Sequence, residues 1–380
     1  MLYMLAVVGL LLAIHIISLM IAGWRISRRG LVTPDLSSRP PVSIVIPVCG
    51  LEQFSRETIA CAHRLDWTDY ELIFCVADRN DPVVAAIESA RLEHPTVKSR
   101  TLVGDDRFSA NPKLNNCLKG WNAAAHDWIV LADSNVLMPP DYLHHLMAAW
   151  RSDSGLVCST PLGARPQGFW AEVECAFLNT HQARWQYAGE ALGFGFAQGK
   201  SMLWRKETLD GRGGIQALAA EIAEDAAATK LVNGLGLKVH LVASPFEQPL
   251  GRRTVWDVWS RQCRWARLRR VTFPIYFAAE IFLGLLPPLL LVFCLPLSEV
   301  GLAASAVAVL AAVYLPELAL ANSKNWHLSP MSLAAMIARD VMMPIIWMRS
   351  WLGKTFEWRG NTMTIGPQDS RLSEAPAAQM

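Results

Sequence analysis

Charge is scarce in this sequence. Asp, Glu, Lys and Arg make up 18% of the 380 residues, below the usual share of about 25%. The balance is nearly neutral, with 35 basic against 33 acidic side chains and a formal net charge of +2. Bulk electrostatics therefore give no reason to expect nucleic acid as a partner. Paired cysteine motifs are also missing. None of the eight cysteines forms a Cys-x-x-Cys pair or sits beside His at metal-ligand spacing, which argues against a zinc module. Reduced, mostly buried thiols are expected instead, with Cys49 and Cys75 inside apolar, strand-like runs. What the chain has in excess is apolar sequence, 52% in all, and it collects at the two ends.

Leu2 to Trp24 is almost continuously apolar, interrupted only by His15 and Ser18. It matches the roughly 20 residues needed to cross a bilayer. Arg25, Arg28 and Arg29 follow the run, whereas a signal peptide carries its basic residues in front. That order predicts an uncleaved anchor with its C-terminal side in the cytosol. His15 is either a functional intramembrane group or a side chain facing a neighbouring helix. Near the other end, Phe273–Pro296 and Val300–Leu320 are joined by Leu297, Ser298 and Glu299 and read as a hairpin, with a kink expected at Pro287 and Pro288. Met331–Trp351 carries Arg339 and Asp340 near its middle, which is costly at bilayer depth. It reads as interfacial or re-entrant, with a third span as the alternative. Arg349, Lys354 and Arg359 suit a cytosolic tail, and the stretch after Gly366 has a disordered composition.

The middle of the chain alternates strands and helices. Val42–Pro47, Glu71–Val76 and Trp128–Ala132 are short apolar runs. Helical stretches lie between them at Glu57–Leu65, Val83–Leu92 and Leu114–Ala125. This pattern predicts an α/β domain with a mostly parallel sheet covered on both faces. Ligands of such sheets bind at the carboxyl ends of the strands, where Asp78 and Asp133 fall.

Asp78, in Val-Ala-Asp-Arg-Asn-Asp-Pro, can accept a hydrogen bond from a uracil N–H or simply end a turn. Asp133, in Leu-Ala-Asp-Ser-Asn, can hold a divalent metal that bridges a diphosphate, or again close a turn. In Asn-Pro-Lys-Leu-Asn-Asn, Lys113 can reach phosphate oxygens and Asn115 can cap the helix that follows, though a solvated lysine fits as well. Glu224 and Asp225 lie in a helix-like stretch between Ile215 and Val232, in apolar company. Partial burial there would raise a carboxyl pKa toward that of a general base. Arg261 and Arg264 are one turn apart on a helix and can clamp a diphosphate. The surrounding Trp256, Trp259, Arg267, Arg269 and Arg270 equally suit a basic amphipathic helix on anionic lipid.

In this order Asp78, Asp133, Glu224-Asp225 and Arg261-x-x-Arg264-Trp265 resemble the motifs of the inverting membrane glycosyltransferases with the GT-A fold, and most closely those of the ceramide glucosyltransferase family. The resemblance runs from about Leu2 to Trp358 and takes in Asn-Pro-Lys-x-Asn-Asn and the Glu357-Trp358-Arg359 patch. It implies a Rossmann-like GT-A domain, a UDP-sugar donor, a lipid acceptor such as ceramide and a divalent metal, Mg²⁺ or Mn²⁺. It implies that Asp225 is the general base, that Asp78 and Lys113 hold the nucleotide-sugar, that Asp133 binds metal and diphosphate, and that Arg261, Arg264 and Trp265 gate diphosphate and acceptor. Where the fold usually has Asp-x-Asp, this chain has Asp133-Ser-Asn135, and Asn is the weaker metal ligand.

The expected layout is an anchor over 1–24, a linker over 25–39, a cytosolic catalytic domain over 40–250, an interfacial helix over 251–272, membrane segments over 273–351 and a cytosolic tail over 352–380. A multi-pass protein of a bacterial inner membrane is the expected setting. The segment Phe169–Tyr187 and the loop Gly193–Gly199 form either an ordinary core element or an acceptor site at the membrane surface. Other lipid acceptors (a hopanoid polyol or diacylglycerol), a processive polysaccharide synthase and a non-catalytic scaffold are the alternatives.

Overall fold

The computed structural model describes residues 1–29 and 39–353 and the backbone of 355–358 and 361–364, with the side chains of 27–29 left aside. The side chains of Arg28, Arg29, Glu357 and Trp358, the residues Lys354 and Arg359, and the tail after Gly366 lie outside this description, as does most of the expected linker.

In chain order the elements begin with α1 (Leu2–Arg29), β1 (Val42–Pro47), α2 (Ser55–Ala62), β2 (Tyr70–Val76), α3 (Val83–Glu93), β3 (Lys98–Val103), α4 (Pro112–Ala123), β4 (Trp128–Ala132), α5 (Tyr142–Ala148), β5 (Ser154–Cys158) and β6 (Leu162–Gln167). They continue with α6 (Phe169–Ala176), a π-helical turn (Phe177–Ala183), α7 (Arg184–Ala191), β7 (Ser201–Arg205), α8 (Lys206–Asp210), a 3₁₀ turn (Gly214–Ala220), α9 (Glu224–Gly234), β8 (Lys238–Leu241) and β9 (Glu247–Arg252). The last are α10 (Val255–Thr272), α11 (Pro274–Ala279), α12 (Leu286–Phe293), α13 (Glu299–Ser323), α14 (Ser332–Trp351) and a two-stranded ribbon, β10 (Thr355–Trp358) and β11 (Asn361–Thr364).

These elements form two compact units. One takes in the described residues of Pro34–Ser159, Phe196–Val242 and Lys354–Met380. Its seven-stranded sheet runs β3-β2-β1-β4-β7-β5-β8. β1 pairs in parallel with β2 and β4, and β2 with β3, while β7 is antiparallel to both β4 and β5. The expected α/β class with a mostly parallel sheet is what the chain adopts. β1 and β2 are buried along their whole lengths, as strands covered on both faces must be. Helix α4 packs tightly on them: a Cβ on Gly120 would meet a Val45 methyl at 2.4 Å and the Cys75 sulfur at 2.8 Å. Cys75 is buried as expected and its thiol is pushed up to about 12 by that burial. Cys49 corrects its expectation, because β1 ends at Pro47 and Cys49 is exposed beyond it.

The other unit takes in the described residues of Met1–Thr33, Thr160–Gly195 and Ala243–Gly353. Helices Leu2–Ile26 and Glu299–Ser323 are long and apolar enough to cross a membrane. The first expected C-terminal span is not one straight helix. Pro274–Phe282 and Leu286–Phe293 meet at a 45° bend, centred on Gly284 with φ +84°. Pro287 and Pro288 do not cause a mid-helix kink. They lie in the first turn of α12, where a missing N–H costs nothing. Met331–Trp351, expected to be interfacial or re-entrant, contains the uninterrupted helix α14.

The polar residues of these helices are paired with one another. His15 Nε2 lies 3.0 Å from the Val313 carbonyl and its Nδ1 lies 3.0 Å from Arg184 Nη1, so His15 faces neighbouring helices. Arg339 contacts Glu317 at 2.9 Å, Asp340 at 2.8 Å and Thr180 Oγ1 at 2.7 Å. Arg25 Nη2 donates to Glu190 at 3.0 Å. Burial of such charges is tolerated only with partners of this kind.

Candidate active site

The carboxyl edge of the seven-stranded sheet gathers the chemistry. Asp133 follows β4 directly. Because β7 runs antiparallel to β4, its N-terminal end comes to the same edge, with Ala132 opposite Ser201. The Asp133 N–H donates to the Lys200 carbonyl at 2.9 Å. From above the sheet, α4 points its N-terminus at this edge. Its cap is Asn111, whose Oδ1 accepts from the N–H groups of Lys113 and Leu114. That corrects the expected cap at Asn115, which lies inside the helix because α4 starts earlier, at Pro112. Asn115 instead holds the preceding turn through Ser109.

The Lys113 ammonium sits 2.6 Å from Asp133 Oδ1, 2.6 Å from Glu224 Oε1 and 2.6 Å from the Gly199 carbonyl. Lys200 Nζ bridges Asp133 Oδ2 at 2.8 Å and Asn135 Oδ1 at 2.9 Å. Burial alone would push the Asp133 carboxyl up, but Lys113 and Lys200 outweigh it and hold it well below the usual carboxylate range. Burial would likewise pull the Lys113 ammonium down, and Asp133 with Glu224 hold it above its ordinary value.

Glu224 and Asp225 open helix α9, since the helix-like stretch expected from Ile215 is broken after the 3₁₀ turn ends at Ala220. Glu224 is engaged by Lys113 and by Asn111 Nδ2, the latter at 2.8 Å. Asp225 differs: its oxygens accept backbone N–H groups, Ala226 at 2.8 Å and Gly199 at 3.3 Å. Burial, then the neighbouring Glu224 carboxylate, raise Asp225 to about 6. Adjacent carboxylates in such different surroundings are the arrangement from which acid–base roles are drawn.

Asp133 and Asn135 offer two hard oxygens that already converge on one cation, the Lys200 ammonium. That donor type suits Mg²⁺ or Mn²⁺. Among the described residues no group of three or more His, Cys, Asp or Glu side chains forms a cage. An ion here would therefore take its remaining ligands from outside these side chains.

Asp78 lies at the same sheet edge after β2, exposed, with Oδ1 accepting the Asn80 N–H at 2.9 Å. It makes the turn allowed by the sequence and leaves its second oxygen out of that bond. Nearby Asp81 ties Gly50 N–H, beyond β1, to the start of α3. In the other unit, Arg261 pairs with Glu174, which is fully buried and also bonds Arg253. The Arg261 guanidinium lies over the Trp265 ring at 5.8 Å. Arg264 follows one turn further along α10.

Lys200 is the site residue that sequence reasoning missed, and Gly199 was noted only as the end of the loop Gly193–Gly199, without its place beside Lys113 and Glu224. The available signal was a Gly-Lys pair immediately before the β-rich run Ser201–Arg205. A Cβ on Gly199 would meet Glu224 Oε1 at 2.7 Å and Lys113 Nζ at 2.9 Å. Both are ends of flexible side chains, so they can move aside. Gly199→Ala is expected to keep its thermal stability within about 1 kcal/mol of wild type and to lose roughly tenfold or more in kcat. A variant with full activity would show that these two side chains need not stay in place.

A family model described as glycosyl transferase family 21 matches residues 10–370. The chain belongs to that family. It is a nucleotide-sugar glycosyltransferase, and its apolar helices make it membrane-associated. It is 28% identical over 361 residues to ceramide glucosyltransferase 3 of Caenorhabditis elegans, covering 93% of this chain and 78% of that one. It is 27% identical over 275 residues to ceramide glucosyltransferase 1 of the same worm, covering 72% of this chain and 58% of that one. Among solved structures it is similar to a mannosyltransferase from Pyrobaculum calidifontis in complex with GDP-Man and Mn²⁺, with 19% identity, a TM-score of 0.46 and coverage of 89% and 98%. The two named family relatives are eukaryotic, so the expected bacterial inner membrane draws no support from them.

Proposed function

We propose that the chain transfers a hexose, glucose first, from a UDP-sugar to the primary hydroxyl of ceramide with inversion. The observation that carries the reading is Asp225, a carboxylate held, among the described residues, by the backbone N–H groups of Ala226 and Gly199 and raised to about 6, beside the Lys113–Asp133–Lys200 cluster. The ceramide glucosyltransferases to which the chain is similar supply the acceptor.

In this mechanism Asp225 removes the acceptor hydroxyl proton. The oxygen bonds to the anomeric carbon as the bond from that carbon to the diphosphate oxygen breaks on the opposite face. The leaving UDP carries the charge that must be offset. Lys113 and Lys200 supply ammonium groups at the sheet edge, and preorganised charge of this kind stabilises a developing anion most. Asp133 and Asn135 would hold a divalent ion, which when bound adds electrophilic stabilisation of the diphosphate. Asp78 contacts the base, and Arg261, Arg264 and Trp265 contact diphosphate and acceptor. Residues 40–250 act as the catalytic domain on the cytosolic face, and 251–272 lie at the interface. Arg25 is already committed to Glu190, so the orientation rests on Arg28 and Arg29.

The test is incubation of the membrane-embedded protein with ceramide, Mn²⁺ and one UDP-sugar at a time, followed by mass spectrometry. Hexosylceramide from UDP-glucose is the expected product. Transfer only to a hopanoid polyol or to diacylglycerol would overturn the acceptor and keep the chemistry.

A further inference from the structure

The place of Lys200 is set by backbone pairing. Strand β7 runs antiparallel to β4 with Ser201 opposite Ala132, so the residue before β7 falls opposite the residue after β4, which is Asp133. The Lys200 carbonyl accepts the Asp133 N–H at 2.9 Å. From that position the Lys200 ammonium spans Asp133 Oδ2 at 2.8 Å and Asn135 Oδ1 at 2.9 Å. The other Asp133 oxygen is held by Lys113, which also bonds Glu224 and the Gly199 carbonyl. The Lys200 and Asp133 side chains are 16% and 22% exposed, so solvent screens the pair only in part.

The two oxygens that Lys200 spans are the two that would hold a divalent ion. Asp133 is a carboxylate and Asn135 a neutral amide, so they carry a single negative charge between them, and two ammonium groups already face it. A dication arriving with Lys200 in place would add charge of the same sign at close range. It would also compete for the lone pairs that Lys200 uses. Lysine is a compact charge on a flexible four-carbon stem, so the ammonium can swing away while its backbone stays paired with β4.

We propose that Lys200 is the resident cation of this site, that a divalent ion reaches Asp133 and Asn135 by displacing it, and that ion and donor therefore load together. The displaced ammonium needs another anion, and the diphosphate of the donor supplies one. Free protein accordingly binds the ion weakly, and each ligand favours the binding of the other. Asn135, standing where the fold usually has a second Asp, suits this exchange, because one negative charge instead of two holds an ammonium loosely enough to release it. The exchange rests on the metal and donor roles proposed above.

The probe is Mn²⁺ alone, titrated into the full-length protein and followed by the electron paramagnetic resonance signal of the free ion, so no turnover is needed. Lys200→Met is expected to bind Mn²⁺ at least about tenfold more tightly than wild type. Lys200→Ala, measured beside it, carries the same comparison if the first variant does not fold. Asn135→Ala separates displacement from mere loss of charge. In wild type it weakens ion and ammonium alike and changes Mn²⁺ affinity less than about threefold, whereas in the Lys200→Met background it weakens binding at least about tenfold. Adding UDP should tighten Mn²⁺ binding more in wild type than in Lys200→Met. Affinity of Lys200→Met within about threefold of wild type would overturn the proposal, as would an equal effect of Asn135→Ala in both backgrounds or of UDP on both proteins. Asp133→Ala, made in both backgrounds, distinguishes this failure from failure of the metal site itself. If it abolishes Mn²⁺ binding while Lys200→Met binds no tighter, the metal site stands and the exchange falls. If Mn²⁺ binding survives it, the ion lies elsewhere and the metal reading falls together with the exchange.

Discussion

Asp225→Asn lowers kcat by roughly a hundredfold to ten-thousandfold, the usual range for a lost general base, while the KM for donor changes little. Asn keeps the size of the side chain and its one oxygen can still accept the shorter bond, from Ala226 N–H, giving up the 3.3 Å bond from Gly199 N–H, so most of the loss reports on proton transfer. The wild-type enzyme should also lose kcat as pH falls below about 6, where Asp225 takes up its proton. The same shift acts on stability. The folded-state value is raised from 3.8 to about 6, so the native state holds a proton that the unfolded state releases. This contribution is fully present below pH 3.8 and is lost as pH rises through 6. At neutral pH Asp225 is therefore a destabilising residue, and Asp225→Asn should melt higher than wild type at pH 7. Measured kcat near wild type in the variant would remove Asp225 from the chemistry, and a lower melting temperature would contradict its environment.

Arg339→Met is expected to have the largest effect on stability. Arg339, Glu317 and Asp340 are each 1% exposed. Arg339 bonds both carboxylates, Thr180 Oγ1 and the Ala176 carbonyl. Arg184 also reaches Glu317, at 3.4 Å, so two guanidinium groups face two carboxylates. Removing one leaves a carboxylate uncompensated in the interior, which costs about 3–5 kcal/mol. Thermal unfolding in detergent should show the loss as a melting temperature lowered by many degrees. Arg339→Met combined with Asp340→Leu should recover part of it, because the double variant removes both members of one pair. A single variant as stable as wild type would mean that the network is not holding these helices together.

The parts of this protein that were legible in the sequence are those set by local pattern. β1, apolar but for Ser43, and β4, a continuous apolar run, begin and end where the sequence places them. β3 escaped notice because it is an edge strand with alternating exposure, Lys-Ser-Arg-Thr-Leu-Val, and no apolar run. Asp133 was legible as a strand-end carboxylate. Lys200 was not, because its place beside Asp133 follows from an antiparallel pairing between strands far apart in the chain. The same holds for Gly199, whose role is to let Lys113 and Glu224 approach. Arg339 and Asp340 looked out of place in an apolar segment because their partners Glu317 and Thr180 come from other elements. Gly284 was hidden by the two prolines that follow it, although the bend falls at the glycine.

The central claim is a single displacement with Asp225 as its base. The most direct test is the proton NMR spectrum of the glycolipid made from an α-linked UDP-sugar, read at the anomeric position. The account predicts a β-glycoside, formed by Asp225→Asn at least about a hundredfold more slowly than by wild type. An α-glycoside would contradict it, because a single in-line displacement inverts the anomeric centre of the α-linked donor.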